Sequence, residues 1–284
     1  MDQINRTVSA WDGTPIAVTE WNDGDTLPAL LCLPGLVRTG GDFAGFAGDF
    51  GARRRVVSLD YIGRGQSGRV RDVQRYGPEA CLRDVLDVCT ALHLHRVIAV
   101  GTSFGGLLAM GIAVTRPRLL AGVVLNDIGP EIETAGAAFI RGFVATDPAL
   151  ADPSACASYL RERLPDLSFI HAAGDEDTGW RGFAALTYGL GSDGRFHPLW
   201  DTRIEQLLGG PTPDLWPLFG ALETTPVLLV HGGRSSVLSV ATVERMRRLR
   251  PDMTILSLPD FGHAPTLAEP ELAAGLRAFL DCAP

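Results

Sequence analysis

The residue best placed to do covalent chemistry is Ser103, in the stretch Val97-Ile98-Ala99-Val100-Gly101-Thr102-Ser103-Phe104-Gly105-Gly106. A short β-branched run ends at a glycine, turns sharply through one serine and leaves as an apolar helix. In that context Gly-x-Ser-x-Gly makes a nucleophile elbow, with the hydroxyl at the apex of a tight, strained turn. Side chains at 101 and 105 would clash across such a turn, which accounts for both glycines. The helix starting near Phe104 would point free N–H groups at the hydroxyl and favour negative charge there. The plainer alternative is a Gly-rich strand–helix turn with no chemistry, since a motif alone is a hypothesis.

Residue types exclude several other chemistries. All 25 basic residues are Arg. With no Lys, a Schiff-base lysine, a pyridoxal phosphate attachment and a Walker lysine are impossible. The five cysteines, at 32, 81, 89, 156 and 282, form no Cys-x-x-Cys pair and read as reduced core thiols of a cytoplasmic protein. His93 and His95, two apart and without further ligands, are poor evidence for a metal. The expectation is therefore no metal and no cofactor.

The elements that must hold Ser103 follow from the apolar pattern. At 284 residues, 46% hydrophobic and 20% charged, the chain can bury a large globular core. Residues 6–10 and 16–21 alternate around Asp12-Gly13-Thr14-Pro15 as a β-hairpin. Residues 28–33 form a continuous apolar run, the signature of a strand buried on both faces; 55–59 and 121–125 read as further buried strands, and 96–100, 226–230 and 253–258 as strands. Helical spacing over 78–92, from the elbow to Thr115, over 241–249 and over 271–280 separates them. This alternation predicts an α/β fold, a mostly parallel sheet covered by helices on both faces, with ligands at the carboxyl ends of the strands. Between about 131 and 213 the alternation stops. Residues 135–144, 155–164 and 182–190 look helical with no buried strand between them. Aromatics are dense there, among them Phe139, Phe143, Tyr159, Phe169, Trp180 and Trp200. The segment reads as an inserted helical cap (131–213) on a core of 1–130 and 214–284, with those aromatics expected to wall a pocket over Ser103.

By this point the chain resembles the α/β-hydrolase superfamily over essentially its whole length. The resemblance rests on Leu33-Pro34-Gly35-Leu36, Asp60-Tyr61-Ile62-Gly63-Arg64-Gly65-Gln66-Ser67, the elbow, His231-Gly232 and Gly262-His263-Ala264-Pro265. It implies a serine nucleophile (Ser103), a late histidine base and an acid that orients the histidine. His263, in a loop after the last strand, fits the base. His171 and His197 lie in the expected cap, and His231 ends a strand too early. The oxyanion hole would use the backbone N–H groups of Leu36 and Phe104, a role that survives Pro34 standing where many relatives carry His. Asp60 matches a structural aspartate that steadies the Gly-rich turn, and Arg38 reads as a surface salt bridge rather than a pocket-rim residue. The acid departs from the usual pattern. Gly232-Gly233-Arg234-Ser235-Ser236-Val237-Leu238, where it is normally found, has no carboxylate. Subgroups such as haloalkane dehalogenases and some fungal lactonases place it at the end of the strand after the elbow helix, which here is Asp127. The alternative is that Asn126-Asp127-Ile128-Gly129-Pro130 is only a turn.

The implied function is a serine hydrolase cleaving an ester or lactone of a small to medium, largely apolar molecule through an acyl-enzyme. A carbon–carbon bond hydrolase of ring-cleavage diketones and a hydrolase-fold binding protein with little turnover are the alternatives. A net charge of −8 argues against nucleic acid or an anionic membrane as partner, and leaves a small-molecule substrate. Homo-oligomerisation is left open. Residues 1–6 lack a signal-peptide pattern and no apolar run approaches ~20 residues, so a cytoplasmic location is expected.

Overall fold

The computed structural model of the chain describes residues 3–22, 27–164, 176–210 and 213–282. Its strands are β1 (Gln3–Ser9), β2 (Pro15–Trp21), β3 (Ala29–Leu33), β4 (Val56–Leu59), β5 (Val97–Thr102), β6 (Leu120–Asn126), β7 (Tyr188–Leu190), β8 (Phe196–Pro198), β9 (Val227–Gly232) and β10 (Thr254–Leu258). The helices are α1 (Ala44–Phe50), α2 (Pro78–Ala91), α3 (Phe104–Thr115), α4 (Thr134–Val144), α5 (Pro153–Arg163), α6 (Glu176–Ala185), α7 (Trp216–Gly220), α8 (Val240–Leu249) and α9 (Pro270–Cys282).

The main sheet has the order β1-β2-β4-β3-β5-β6-β9-β10. β1 and β2 pair antiparallel, β2 meets β4 antiparallel, and the neighbours from β4 to β10 are parallel. Every residue of β3, β4, β6 and β9 is buried, as their uninterrupted apolar sequences require of strands covered on both faces. One core lies between the sheet and α2 and α3, and joins Leu31, Leu33, Val85, Val88, Leu108 and Ile112. The opposite face packs Leu30, Val100, Val124 and Val230 against Phe46, Phe50, Leu272 and Leu276 of α1 and α9. The α/β architecture expected from the sequence is thus the one observed. Strand order reverses between β3 and β5, so the elbow after β5 opens where a parallel sheet binds ligands.

The 131–213 stretch differs from its expected form in two ways. The helix expected over 182–190 ends at Ala185, and Tyr188–Leu190 pairs instead with Phe196–Pro198 as a small antiparallel sheet. Gly191-Ser192-Asp193-Gly194 closes this hairpin, with Gly194 at φ 79° and the Gly191 N–H donating to Arg195 O at 2.7 Å. The aromatics also have another use than the one expected. Trp180 and Tyr188 are buried with Cys156 and Leu160 in a local core, and Trp200 is buried in the main core. Phe169 and His171 lie outside the described residues. Among the described residues no helix is long and apolar enough to cross a membrane. Cys32, Cys81, Cys89 and Cys156 are free and buried, as expected of core thiols, whereas Cys282 is exposed.

Candidate active site

Ser103 lies between β5 and α3 with φ 52° and ψ −117°, outside the regions a non-glycine residue ordinarily adopts. Such strain costs about 1–3 kcal/mol and persists only where its surroundings over-determine it. The constraint is visible. The Ser103 N–H donates to Asn126 O at 3.0 Å, and the Ser103 carbonyl accepts from Gly106 N at 2.8 Å. A Cβ on Gly101 would lie 2.5 Å from the Gly105 carbonyl, the clash across the turn that the sequence implies. A Cβ on Gly105 would instead strike the Leu33 carbonyl, so that glycine lets α3 start against the end of β3.

The loop after β10 returns His263 to the elbow. His263 Nε2 is 3.0 Å from Ser103 Oγ, and its Nδ1 is 2.7 Å from Asp127 Oδ2. Asp127 is fully buried at the end of β6, with φ 54°. Its second oxygen, Oδ1, accepts the Gly232 N–H at 2.9 Å, and its own N–H donates to Val230 O. Strand β9, whose end carries no carboxylate, thus contributes a backbone amide that fixes the carboxylate of β6. The other acids near the motifs point elsewhere. Asp60 accepts the Gly40 and Gln66 N–H groups at 2.7 and 2.8 Å, steadying the Gly-rich turn; burial raises its pKa, opposed by those two bonds. Asp260 pairs with Arg234 at the surface.

Leu36 and Phe104 line one cavity with Ser103. Among the described residues neither backbone N–H donates to a protein acceptor, so both stay available to an oxygen bound beside Ser103. Two further residues hold this frame in place and were not singled out for that role in the sequence. Arg64 is fully buried; its Nε donates to Leu36 O and its Nη1 to Ile62 O, both at 2.8 Å. Its guanidinium lies 5.7 and 5.8 Å from the Tyr61 and Tyr76 ring centres. Asn126 donates to Thr102 Oγ1 at 3.0 Å and to Pro265 O at 2.7 Å, tying the β5 and β6 ends to the histidine loop. An asparagine closing an otherwise apolar strand was the available signal for it.

Arg38 departs from the simple surface pair expected. It holds Asp42 through two bonds of 2.8 and 2.6 Å, donates to Thr187 Oγ1 at 2.6 Å and lies 4.1 Å from the Phe183 ring centre. The loop carrying Leu36 is thereby tied to the 131–213 stretch. Of the remaining histidines, His231 is buried against Leu238 O and His197 sits between Asp147 and Asp193. Among the described residues no cluster of His, Cys, Asp and Glu could hold a metal ion.

The cavity has a volume of about 600 Å³ and an almost wholly apolar lining. From the 131–213 stretch it receives Ile132, Ala137, Ile140, Ile204, Leu207, Leu208 and Pro213. This wall is aliphatic; the described aromatics singled out in that stretch are absent from it, because Phe143, Tyr159, Trp180 and Trp200 pack within or against the cores and Phe139 is exposed.

A strained serine at a helix N-terminus, hydrogen-bonded through histidine to a buried carboxylate on this sheet order, defines a hydrolase-type site. The sequence profile of the alpha/beta hydrolase fold matches residues 28–270, and the chain belongs to that family. It is 30% identical over 268 residues to the 3-hydroxybutyrate-oligomer hydrolase of Cupriavidus necator, a match covering 90% of this chain and 89% of that protein. Among solved structures it resembles an alpha/beta hydrolase from Novosphingobium aromaticivorans (34% identity, TM-score 0.89, 98% of each chain). It also resembles E-2-(acetamidomethylene)succinate hydrolase (25% identity, TM-score 0.84), over 99% of this chain and 100% of that one. These relatives are hydrolases, and hydrolysis is the activity this family membership supports.

Proposed function

We propose that the protein is a serine esterase acting on apolar carboxylic esters through an acyl-enzyme. The observation that carries this reading is the chain Ser103 Oγ–His263–Asp127, 3.0 and 2.7 Å long, opening onto an apolar cavity. The Ser103 hydroxyl donates to His263 Nε2, and His263 Nδ1–H donates to Asp127. As Oγ attacks the ester carbonyl, its proton passes to Nε2, and Asp127 stabilises the imidazolium. The carbonyl oxygen, now negative, is held by the Leu36 and Phe104 N–H groups, each worth roughly 10²–10³ in rate. Collapse breaks the carbon–oxygen bond and the imidazolium protonates the leaving alkoxide. Water then attacks the acyl-enzyme with His263 as base, releasing the acid and restoring Ser103.

The lining also bears on the alternatives. Beyond the catalytic His263, no Arg or His among the described residues lines the cavity, so a carboxylated dienone would find no further cationic partner there. This favours an ester over the carbon–carbon bond substrates of ring cleavage. The 3-hydroxybutyrate-oligomer hydrolase named above supports an ester reading as well. The 131–213 stretch acts as a cap that supplies one aliphatic side of the wall, the whole working without cofactor. The test is labelling by a fluorophosphonate followed by peptide mapping. Modification of Ser103 alone, absent in Ser103→Ala, is expected together with turnover of an activated ester. A Ser103→Ala protein keeping a tenth of the wild-type kcat would overturn the assignment, and an unlabelled wild type would favour a binding protein.

A further inference from the structure

The cavity has a direction. On α3 its lining residues are Phe104, Leu107, Leu108, Gly111, Val114 and Thr115, spaced as one face of the helix. From Phe104 to Thr115 that face is about 16 Å long at 1.5 Å per residue. Ser103 and Leu36 stand at one end. At the other, Val114 and Thr115 are exposed, and Glu79 and Asp214 are exposed on the rim, so the cavity reaches solvent. Midway along it Gly111 packs against Leu82 of α2: a Cβ on Gly111 would lie 3.0 Å from Leu82 Cδ2, so a side chain there would have to displace Leu82 or enter the cavity.

The charge on that rim is one-sided. Glu79 and Asp214 lie on it, neither is in an ion pair among the described residues, and no Arg lines the cavity.

We propose that this cavity is an open-ended channel for an unbranched, uncharged acyl chain of about ten to twelve carbons, laid along α3 from Ser103 to the exposed end at Val114 and Thr115, with Glu79 and Asp214 on its rim. The length follows from geometry: at about 1.25 Å of advance per bond, from a bond length near 1.5 Å and an angle near 111°, about 16 Å spans some twelve bonds. Gly111, about 10 Å along, sets the point at which the channel is gauged. A free carboxylate at the chain end would meet two like charges. The proposal rests on the esterase reading and specifies its substrate.

The experiment measures Ser103 labelling rates with p-nitrophenyl alkylphosphonates carrying two, six, ten and sixteen carbons. The rate is expected to rise by up to about fourfold per methylene to about ten to twelve carbons, then level as further carbons emerge into water. Gly111→Leu should halt the rise at about six to eight carbons, whereas Val114→Trp, at an exposed position, should affect only the sixteen-carbon probe. A ten-carbon probe ending in carboxylate should react about fivefold more slowly than its neutral counterpart at low salt. That ratio should approach one in Glu79→Gln/Asp214→Asn and at high salt. Rates flat with length, or a Gly111→Leu profile like the wild type's, would overturn the channel. If no probe labels Ser103, the esterase reading falls and the Ser103→Ala protein decides the channel separately. Its melting temperature should rise more with 1-decanol than with 1-butanol, and an equal or absent rise would sink the proposal.

Discussion

Asp127→Asn tests the site at its least usual position. Asp127 Oδ1 is fixed by the Gly232 N–H at 2.9 Å, so an asparagine there will keep its carbonyl oxygen on that donor. Its NH₂ group must then occupy the Oδ2 position, 2.7 Å from His263 Nδ1. A donor at that distance forces Nδ1 to accept, which places the imidazole proton on Nε2, facing Ser103 Oγ. The base is then in the wrong tautomer and the imidazolium has lost its counter-charge, a combination worth up to about 10⁴ in kcat. Stability should change little, by about 1 kcal/mol or less, because the Gly232 bond survives and the volume is unchanged. In a chain of this size that is roughly 2–4 °C in Tm. The assay is kcat on an activated ester with thermal melting of the same preparation. A kcat within tenfold of wild type would refute the reasoning, and would return the acid role to no residue whose carboxylate reaches His263.

Two further outcomes follow from contacts away from the serine. His197 is bonded to Asp147 and Asp193, which raises its pKa above the ordinary value of 6.5. A raised pKa stabilises the fold fully below the unfolded value and loses that contribution as pH rises through the folded one. The Tm difference between wild type and His197→Gln should therefore be largest below about pH 6 and shrink above it; a difference independent of pH would refute this. Arg38→Met removes the two bonds to Asp42, the bond to Thr187 and the stacking on Phe183, and should destabilise by about 1–3 kcal/mol in urea unfolding. An unchanged midpoint would mean those contacts carry no net energy.

The buried strands were legible because a parallel strand covered on both faces must be apolar throughout, and no other element of five or six residues has that need. Ser103 and His263 were legible because a strained elbow and a late loop histidine leave motifs. Asp127 was reached only through a family resemblance, since an aspartate after a strand is equally at home in a turn; what marks it is a fold-dependent contact with Gly232, 105 residues away. The Tyr188–Leu190 strand was hidden for a local reason. Its three residues are too few to show a period of two, and the turn at 191–194 was the better guide. The aromatics of 131–213 were visible but not their direction, because composition does not say whether a ring faces a cavity or its own neighbours. Arg38 and Thr187, 149 residues apart, meet only in the folded chain.

Asp127 stands at the root of the long excursion that leaves the sheet after β6 and returns to it at β9, the strand hydrogen-bonded alongside. Its carboxylate is tied to β9 and its own N–H to Val230, so the root is clamped before the excursion begins. Ser103, Asp127, His263 and both proposed oxyanion amides are encoded outside residues 131–213, while one side of the cavity wall, from Ile132 to Pro213, is encoded within them. Inheritance can therefore act on the two separately. Insertions, deletions or recombination within the excursion would redraw the shape offered to a substrate, and the bond-breaking groups would pass unchanged to the descendant. The same partition gives a protein engineer a cassette: cut after Pro130, rejoin before Asp214, and exchange preference while leaving the reactive groups in place.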